Sequence, residues 1–267
     1  MIFSEPAPAK VNLALHVRRR RDDGRHDLET VFAFCSDGDV VRAEKADGLS
    51  LTVQGPFAEG LEADDENLVL RAARALKDAS GSEAGARLTL VKNLPVASGI
   101  GGGSADAGAA LRLLTRLWDV EPTHAAAVAP ALGSDVPACL LSMTARGEAA
   151  GDSLQLVDAG VSGAPILLVN PRIALATAPV FAGWDAVDRG PLGDWREGRN
   201  DLEVPARSLV PAIGDVLDWL GAQEGVALAR MSGSGATCFA LFSDAAARDR
   251  AAASCPAEWW HLASWLR

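Results

Sequence analysis

The stretch from Leu94 to Leu114, LPVASGIGGGSADAGAALRLL, most constrains the fold, because four glycines directly precede a helical pattern. Glycines at 99, 101, 102 and 103 tolerate positive φ and let successive N–H groups approach a ligand without a Cβ in the way. A helix is predicted from about Ser104 to Leu114, and its free amides and dipole point at the same corner. A strand is predicted just before it, over Ala86–Val91. The order strand, glycine loop, helix predicts a phosphate-binding site.

Two other phosphate-binding loops are excluded by the residues present. A Walker loop needs a lysine after its last glycine, and no lysine follows Lys92 in this chain. The dinucleotide motif needs G-x-G-x-x-G, and counting from Gly99 its third glycine position is Ser104. A glycine-rich surface turn is the structural alternative, although such a turn needs only one or two glycines.

Composition predicts a folded, soluble protein. The chain has 267 residues, of which 49% are hydrophobic, and its net charge of −10 disfavours nucleic acid as a partner. No apolar run of about 18 residues is free of charge, proline or glycine, and MIFSEPAPAK lacks the features of a signal peptide. We expect a cytoplasmic protein with no membrane partner. The cysteines form no C-x-x-C pair and are expected to be reduced core residues: Cys35, Cys139, Cys238 and Cys255.

Strands and helices are mixed without strict alternation, which predicts an α+β fold. The alternation over Val11–Val17 predicts a strand with Lys10 and Asn12 on one face. The helix over Glu66–Asp78 is expected to be capped by Asn67 or Asp65, and the helix ending at Leu132 by a left-handed Gly133. Further strands are predicted at Asp27–Phe34, Asp39–Ala43, Leu49–Val53, Pro165–Val169, Val226–Met231 and Thr237–Phe242, with a turn at Asp22–Gly24 and a loop over Gly183–Asn200. We expect two domains, 1–150 and 151–267.

Two residues are candidates for chemistry. Lys10 is one of only four lysines among 25 basic residues, which suggests that an ammonium is needed there. Asp135 lies between Gly133 and Pro137 in a small, apolar segment, where a carboxylate could accept the proton of an attacking hydroxyl. An ordinary strand lysine and a helix cap are the alternatives. One lysine, one aspartate and the loop amides would suffice for phosphoryl transfer.

A basic cluster follows the first predicted strand. Arg18–Arg21, with Arg25 and His26 close behind, could contact a phosphorylated small molecule. A solvated hairpin tip explains the four consecutive arginines equally well.

Three motifs together resemble the GHMP kinases, the group of galactokinase, homoserine, mevalonate and phosphomevalonate kinases. They are PAKVNLALHV at Pro8–Val17, LPVASGIGGGSADA at Leu94–Ala107 and SGSGATCFALF at Ser232–Phe242. Four further segments are similar to one branch of that family, which serves the non-mevalonate isoprenoid pathway: DDGRHDLET, DENLVLRAA, LGSDVPACL and RNDLE. The resemblance spans nearly the whole chain in collinear order.

The resemblance implies that ATP, accompanied by Mg²⁺, phosphorylates the 2-hydroxyl of 4-(cytidine 5′-diphospho)-2-C-methyl-D-erythritol. It also implies an N-terminal ATP-binding α+β domain and a C-terminal α+β domain, with the active site in the cleft between them. The partner is a small molecule rather than nucleic acid or membrane, and we expect a monomer or weak homodimer.

The resemblance also implies site residues, with Lys10 and Asp135 matching the catalytic pair. The positions that match ATP-binding residues are Asn67, Pro95, Ala97, Gly99, Ile100, Gly101, Gly102, Gly103, Ser104 and Ala105. The substrate-binding positions are Asn12, Arg25, His26, Thr177, Phe181, Gly233, Ser234 and Gly235, and the segment Gly233–Ala236 is also expected to brace the phosphate loop. No metal-ligating residue is predicted.

One position departs from the family pattern. A tyrosine that stacks on cytosine commonly precedes the histidine of the DG-x-H turn, and here that position is Arg25 in a chain without tyrosine. A guanidinium can also stack on a base, so Arg25 is predicted to lie over the cytosine opposite Phe181. Kinases of the family that act on homoserine or mevalonate, and a nucleotide-binding sensor without turnover, are the alternative functions.

Overall fold

The computed structural model describes all residues from Met1 to Arg267 and has an α+β fold, as predicted. The strands are β1 (Phe3–Arg20), β2 (His26–Ala46), β3 (Leu49–Gln54), β4 (Gly85–Val91), β5 (Ala145–Glu148), β6 (Ser153–Leu156), β7 (Pro165–Asn170), β8 (Val226–Met231), β9 (Cys238–Phe242) and β10 (Trp260–Trp265). The helices are α1 (Leu68–Ser80), α2 (Gly102–Trp118), α3 (Pro122–Leu132), α4 (Val136–Leu141), α5 (Thr177–Ala182), α6 (Glu203–Leu209), α7 (Ala212–Gly221) and α8 (Ala245–Ala253). None of these helices is both long and apolar enough to cross a membrane.

The chain divides into two compact units. The first unit contains Met1–Ala9, Asp37–Val96 and Gly101–Ser142. The second contains Lys10–Ser36, Ala97–Ile100 and Met143–Arg267. Strands β1 and β2 therefore contribute residues to both units. The predicted domains 1–150 and 151–267 stay a prediction.

The first unit packs helices beside a short piece of sheet. Strand β4 pairs in parallel with β3 and antiparallel with Val40–Ala46 of β2. Helix α2 contacts α1, α3 and α4. The largest fully buried side chains here are leucines, as the apolar spacing of these elements requires: Leu76, Leu88, Leu90, Leu94, Leu111, Leu113 and Leu114.

Helix α2 begins at Gly102, two residues before the predicted start at Ser104. Gly101 adopts a left-handed conformation (φ 64°, ψ 24°) and turns the chain into the helix, and the amide of Ala105 donates to the Gly101 carbonyl at 2.7 Å. Ser104 lies in the first turn and is not the N-cap residue; the N-cap is Gly101, which offers the first amides no side-chain acceptor. The early start leaves those amides open at the glycines.

Two other local predictions are wrong. Gly133 has φ 158° and ψ 153°, outside the left-handed region predicted for it. The segment Asp39–Ala43 is not a separate strand but continues β2. A Cβ on Gly38 would lie 2.2 Å from the Ala7 carbonyl oxygen, so the missing side chain lets the strand continue past β1.

The second unit contains an antiparallel sheet in the order β10-β7-β9-β8. Its hydrophobic core joins this sheet to Leu15 and Val17 of β1 and to side chains of α6, α7 and α8. The predicted strands β7, β8 and β9, and the glycine loop between the last two, are confirmed. All four cysteines are free thiols; three are buried and Cys255 is half-buried.

The backbones of α2 and α4 approach closely at Gly108. A Cβ on Gly108 would lie 2.7 Å from the carbonyl carbon of Cys139, which is closer than real Cβ atoms come to backbone. The Arg112 guanidinium, one turn further along α2, donates to the carbonyl oxygens of Cys139 (2.6 Å) and Leu140 (3.2 Å) and pairs with Glu5. These contacts fix α4, and the residue that precedes it, on α2.

We expect Gly108→Ala to lower the free energy of unfolding by about 1–3 kcal/mol, because overpacking forces the two backbones apart. Urea unfolding measures the change. Gly221→Ala is the matched control, since Gly221 also lies in a helix but has open space at its Cβ position. Equal stability of the Gly108 variant and the control would contradict this account of the packing.

Candidate active site

A cluster of hydrogen-bonded polar side chains surrounds Lys10 on β1. The Lys10 Nζ donates to Asn12 Oδ1 at 2.7 Å, and Asn12 Nδ2 donates to Thr30 Oγ1 at 2.8 Å. The Thr30 hydroxyl in turn donates to the Ala14 carbonyl at 2.6 Å. Lys10 and Asn12 share a face, as the period of two predicts, yet each is only 3% exposed. This network fixes the orientation of the Asn12 amide and holds a buried ammonium beside it.

The third motif contacts the first part of the glycine loop. The Ser232 hydroxyl accepts from the backbone N–H of Asn12 at 3.1 Å and donates to the Gly99 carbonyl at 3.1 Å. The amide of Thr237 donates to the Ser98 carbonyl at 3.0 Å. A Cβ on Gly99, where φ is +78°, would lie 2.5 Å from the Gly235 carbonyl oxygen, so glycine is required there. These contacts brace the loop between β8 and β9 against residues 98 and 99.

The first turn of α2, residues 101–105, is called the phosphate corner below. Gly101 and Gly102 are half-buried, Gly103 is exposed, and the start of the helix has no side-chain cap. Free amides, glycine and the positive end of a 17-residue helix together favour a phosphate ligand.

Asp135 belongs to the first unit, like the phosphate corner, whereas Lys10 belongs to the second. Asp135 occupies the N-cap position of α4, but its side chain makes no capping hydrogen bond. The alternative of a simple helix cap is therefore wrong. Pro137 is accommodated because the first turn of a helix needs no N–H from that residue.

An aromatic cluster lies around His26 in the second unit. Its ring is 4.9 Å from the Phe181 ring and 5.7 Å, edge-on, from the Trp184 ring. Burial, and then the charge of Arg20, lower the pKa of His26. No base fits between His26 and Phe181 at that spacing, because stacked rings need about 3.5 Å on each side. Arg25 is exposed at the hairpin tip.

The remaining predicted residues have mainly structural contacts. Asn67 caps α1, accepting from the Val69 amide at 3.0 Å. The hydroxyls of Thr177 and Ser234 are 3.0 Å apart. Pro95 and Ile100 are buried, whereas Ala97 is exposed. Within the arginine run, Arg18 pairs with Glu29 and Asp188, and both Arg19 and Arg21 pair with Asp27, as expected of a hairpin tip.

Sequence reasoning missed a buried group of three charges, Asp39, Lys92 and Asp106, called the charge cluster below. The Lys92 Nζ lies 2.5 Å from Asp39 Oδ2 and 2.7 Å from Asp106 Oδ2. All three residues are at most 3% exposed. The scarcity of lysine that drew attention to Lys10 applies equally to Lys92, and Asp106 is a carboxylate within an apolar helix face. Both signals were available in the sequence.

Two family models match the chain. The GHMP kinases N terminal domain matches residues 67–143, and the GHMP kinases C terminal domain matches residues 185–261. The first contains the phosphate corner and Asp135, and the second contains the loop between β8 and β9. The fold and these sites define a GHMP kinase.

Two curated relatives show which branch of the GHMP kinases this chain is similar to in sequence. The 4-diphosphocytidyl-2-C-methyl-D-erythritol kinase of Rhizorhabdus wittichii is 54% identical over 99% of this chain and 94% of its own. The kinase of the same name from Novosphingobium aromaticivorans is 51% identical over 100% of this chain and 94% of its own. A crystal structure of 4-(cytidine 5'-diphospho)-2C-methyl-D-erythritol kinase superposes with a TM-score of 0.85 at 33% identity, covering 99% of both chains. This chain belongs to the 4-diphosphocytidyl-2-C-methyl-D-erythritol kinase family.

Proposed function

We propose that this enzyme transfers the γ-phosphoryl group of ATP to the 2-hydroxyl of 4-(cytidine 5′-diphospho)-2-C-methyl-D-erythritol. The observation that carries the proposal is the identity, along nearly the whole chain, to kinases named for this substrate. Lys10, the glycine loop and Asp135 all lie within the length of chain that these relatives match. The step supplies a phosphorylated intermediate to the non-mevalonate isoprenoid pathway.

The ATP triphosphate is proposed to bind at the phosphate corner. The uncapped amides of α2 donate to phosphate oxygens, and the helix dipole favours their negative charge. Gly99 and Ile100 present further backbone to the phosphates, and Asn67, with Pro95 and Ala97, is proposed to lie beside the nucleoside. The contacts of Ser232 and Thr237 with residues 98 and 99 support this role, because they keep the loop in one conformation before ATP arrives.

Lys10 and Asp135 are proposed as the catalytic pair. Asp135 accepts the proton of the 2-hydroxyl while the oxygen of that hydroxyl forms a bond to the γ-phosphorus. The bond between the γ-phosphorus and the β,γ-bridging oxygen breaks, which releases ADP. The Lys10 ammonium neutralises charge that develops on the transferred group. Its hydrogen bond to Asn12 supports this role because it fixes the direction of the side chain.

The acceptor is proposed to bind along the second unit. Asn12 and His26 contact the methylerythritol and cytosine ends, and Thr177, Phe181 and the segment Gly233–Gly235 complete the site. Since His26 packs against one side of Phe181, the cytosine is proposed to stack on the side that His26 leaves open, with Arg25 over it. The lowering of the His26 pKa by burial favours the neutral imidazole, in which one nitrogen can accept a hydrogen bond.

Mg²⁺ is proposed to enter with the nucleotide. The structure has no group of three or more His, Cys, Asp or Glu side chains arranged to hold a metal ion. Mg²⁺ usually keeps several waters and binds through substrate phosphates, and it would neutralise phosphate charge at the phosphate corner.

A cytoplasmic monomer or weak homodimer, without nucleic-acid or membrane partners, completes the proposal. The net charge of −10 supports the absence of a nucleic-acid partner, because a polyanion is repelled at long range.

The proposed substrate is tested by measuring ATP consumption with the cytidylated methylerythritol beside mevalonate and homoserine. We expect kcat/KM for the cytidylated substrate to exceed that for either other alcohol by at least about 1,000-fold, because a site built around a base leaves polar groups unpaired when the base is missing. Preference for mevalonate or homoserine would contradict the proposal. Nucleotide binding with no turnover of any alcohol would instead support a sensor.

Asp135→Asn is expected to lower kcat by about 10²- to 10⁴-fold while changing ATP affinity little, because the amide cannot accept the proton. Steady-state kinetics and calorimetric ATP binding measure the two quantities. Asp78→Asn, an exposed substitution near the end of α1, is the control. Near-normal kcat in the Asp135 variant would remove Asp135 from the role of base.

Arg25→Ala is expected to raise KM for the cytidylated substrate about 5- to 100-fold, in line with ~1–3 kcal/mol for stacking on one base. The KM for ATP should stay unchanged. Arg42→Ala, which removes an exposed arginine in the first unit, controls for the loss of charge. An unaltered acceptor KM would mean that Arg25 does not stack on cytosine.

A further inference from the structure

The charge cluster lies directly beneath the phosphate corner. A Cβ on Gly102, the first residue of α2, would lie 3.0 Å from Lys92 Nζ and 3.9 Å from Asp39 Oδ2. The buried ammonium therefore lies where a side chain at position 102 would be, beside the backbone whose amides form the corner. Any larger residue at position 102 would displace it.

Both carboxylate oxygens of Asp39 accept hydrogen bonds. Its Oδ2 accepts from Lys92, and its Oδ1 accepts from the backbone amides of Asn93 (2.5 Å) and Leu94 (2.8 Å). Those amides belong to the segment that leads into the glycine loop. Three donors therefore hold this one carboxylate between Lys92 and the backbone of residues 93 and 94.

Asp106 differs from Asp39 because only one of its carboxylate oxygens accepts a hydrogen bond. Its Oδ2 accepts from Lys92, but its Oδ1 is buried and has no hydrogen-bond partner. An ionised oxygen without a donor is unfavourable in a buried site, so this atom is where a proton is best tolerated. Burial raises the pKa of Asp106 to about 7, with the charge of Asp39 acting in the same direction and that of Lys92 opposing it.

The cluster has one positive charge and two carboxylates. With both carboxylates ionised its net charge is −1, held next to the site proposed for a triphosphate. With a proton on Asp106 it is neutral. Because a bound polyanion repels the extra negative charge, it binds better to the protonated form.

We propose that the charge cluster belongs to the nucleotide site: Lys92 positions the start of α2, and binding of a nucleoside triphosphate there is coupled to uptake of one proton by Asp106. The inference rests on the proposed ATP site at the phosphate corner. Lys92 and Asp39 are positioning residues, since they act through the backbone of Gly102 and of residues 93 and 94.

The other titratable groups near α2 are accounted for. The helices packed on α2 carry Arg71, Arg74, Lys77 and Asp78 on α1, His124 on α3 and the buried thiol of Cys139 on α4. Arg74 pairs with Asp65, and Lys77 donates to the Glu83 carbonyl. None of these side chains is hydrogen-bonded to Asp106, whose partner is Lys92.

The test is calorimetric titration of the whole enzyme with a non-hydrolysable ATP analogue at pH 8, in two buffers of very different ionisation enthalpy. Asp106→Asn mimics the protonated residue, and Asp78→Asn is the control. We expect the wild type and the control to take up between about 0.5 and 1 proton more than Asp106→Asn, a difference that cancels titration of the analogue itself. The wild-type Kd should rise by up to about tenfold per pH unit above pH 7.

The Asp106→Asn variant distinguishes an effect of the Asp106 charge on nucleotide binding from a purely structural role of this residue. We expect it to bind the analogue at pH 8 at least as tightly as the wild type, with less dependence on pH. Weaker binding at every pH, or equal proton uptake by variant and wild type, would overturn the inference while leaving the ATP site intact.

If the analogue does not bind the wild type at all, the nucleotide site and the inference fail together. If the variant does not fold, carboxyl NMR of the wild type decides the matter. A pKa of Asp106 that rises when the analogue binds supports the coupling, and an unchanged pKa overturns it.

Discussion

Two helix backbones meet where α2 passes α4, and they can do so only because residue 108 has no side chain. This close packing of α2 on α4 matters because each helix begins at a different part of the proposed site. The start of α2 forms the phosphate corner, and the residue before α4 is Asp135. Arg112 then closes the contact by binding the carbonyl oxygens at the end of α4. One pair of packed helices thus holds both the proposed base and the proposed phosphate site.

The second unit organises its polar groups in another way. Its Lys10, Asn12 and Thr30 side chains form a chain of hydrogen bonds that ends on a backbone carbonyl, and Ser232 joins this chain to the glycine loop. Such groups are oriented by the fold before any ligand binds. Electrostatic stabilisation of a transition state is most effective when its donors need no rearrangement.

Local periodicity predicted much of the secondary structure, and long-range contacts explain the errors. The alternation around Lys10 correctly placed that residue and Asn12 on one face, because the period of two is a property of the strand itself. The start of α2 was misplaced since the conformation of Gly101 depends on the loop around it. Lysine scarcity and the apolar context of Asp135 pointed to Lys10 and Asp135 before the motif resemblance matched them to a catalytic pair. Lys92 was missed because its two carboxylate partners, Asp39 and Asp106, are 53 and 14 residues away in sequence. An ion pair between residues that far apart produces no periodic pattern in the sequence.

The path of the chain has an evolutionary consequence. Each compact unit is assembled from three separate segments, and β1 and β2 each supply residues to both. No single peptide bond divides this sequence into two self-sufficient pieces. Even a break after Ser142, which keeps the whole first unit on one piece, would take Leu15 and Val17 of β1 away from the core of the second unit. The two units must therefore be inherited together and diversify by substitution and by changes in their loops.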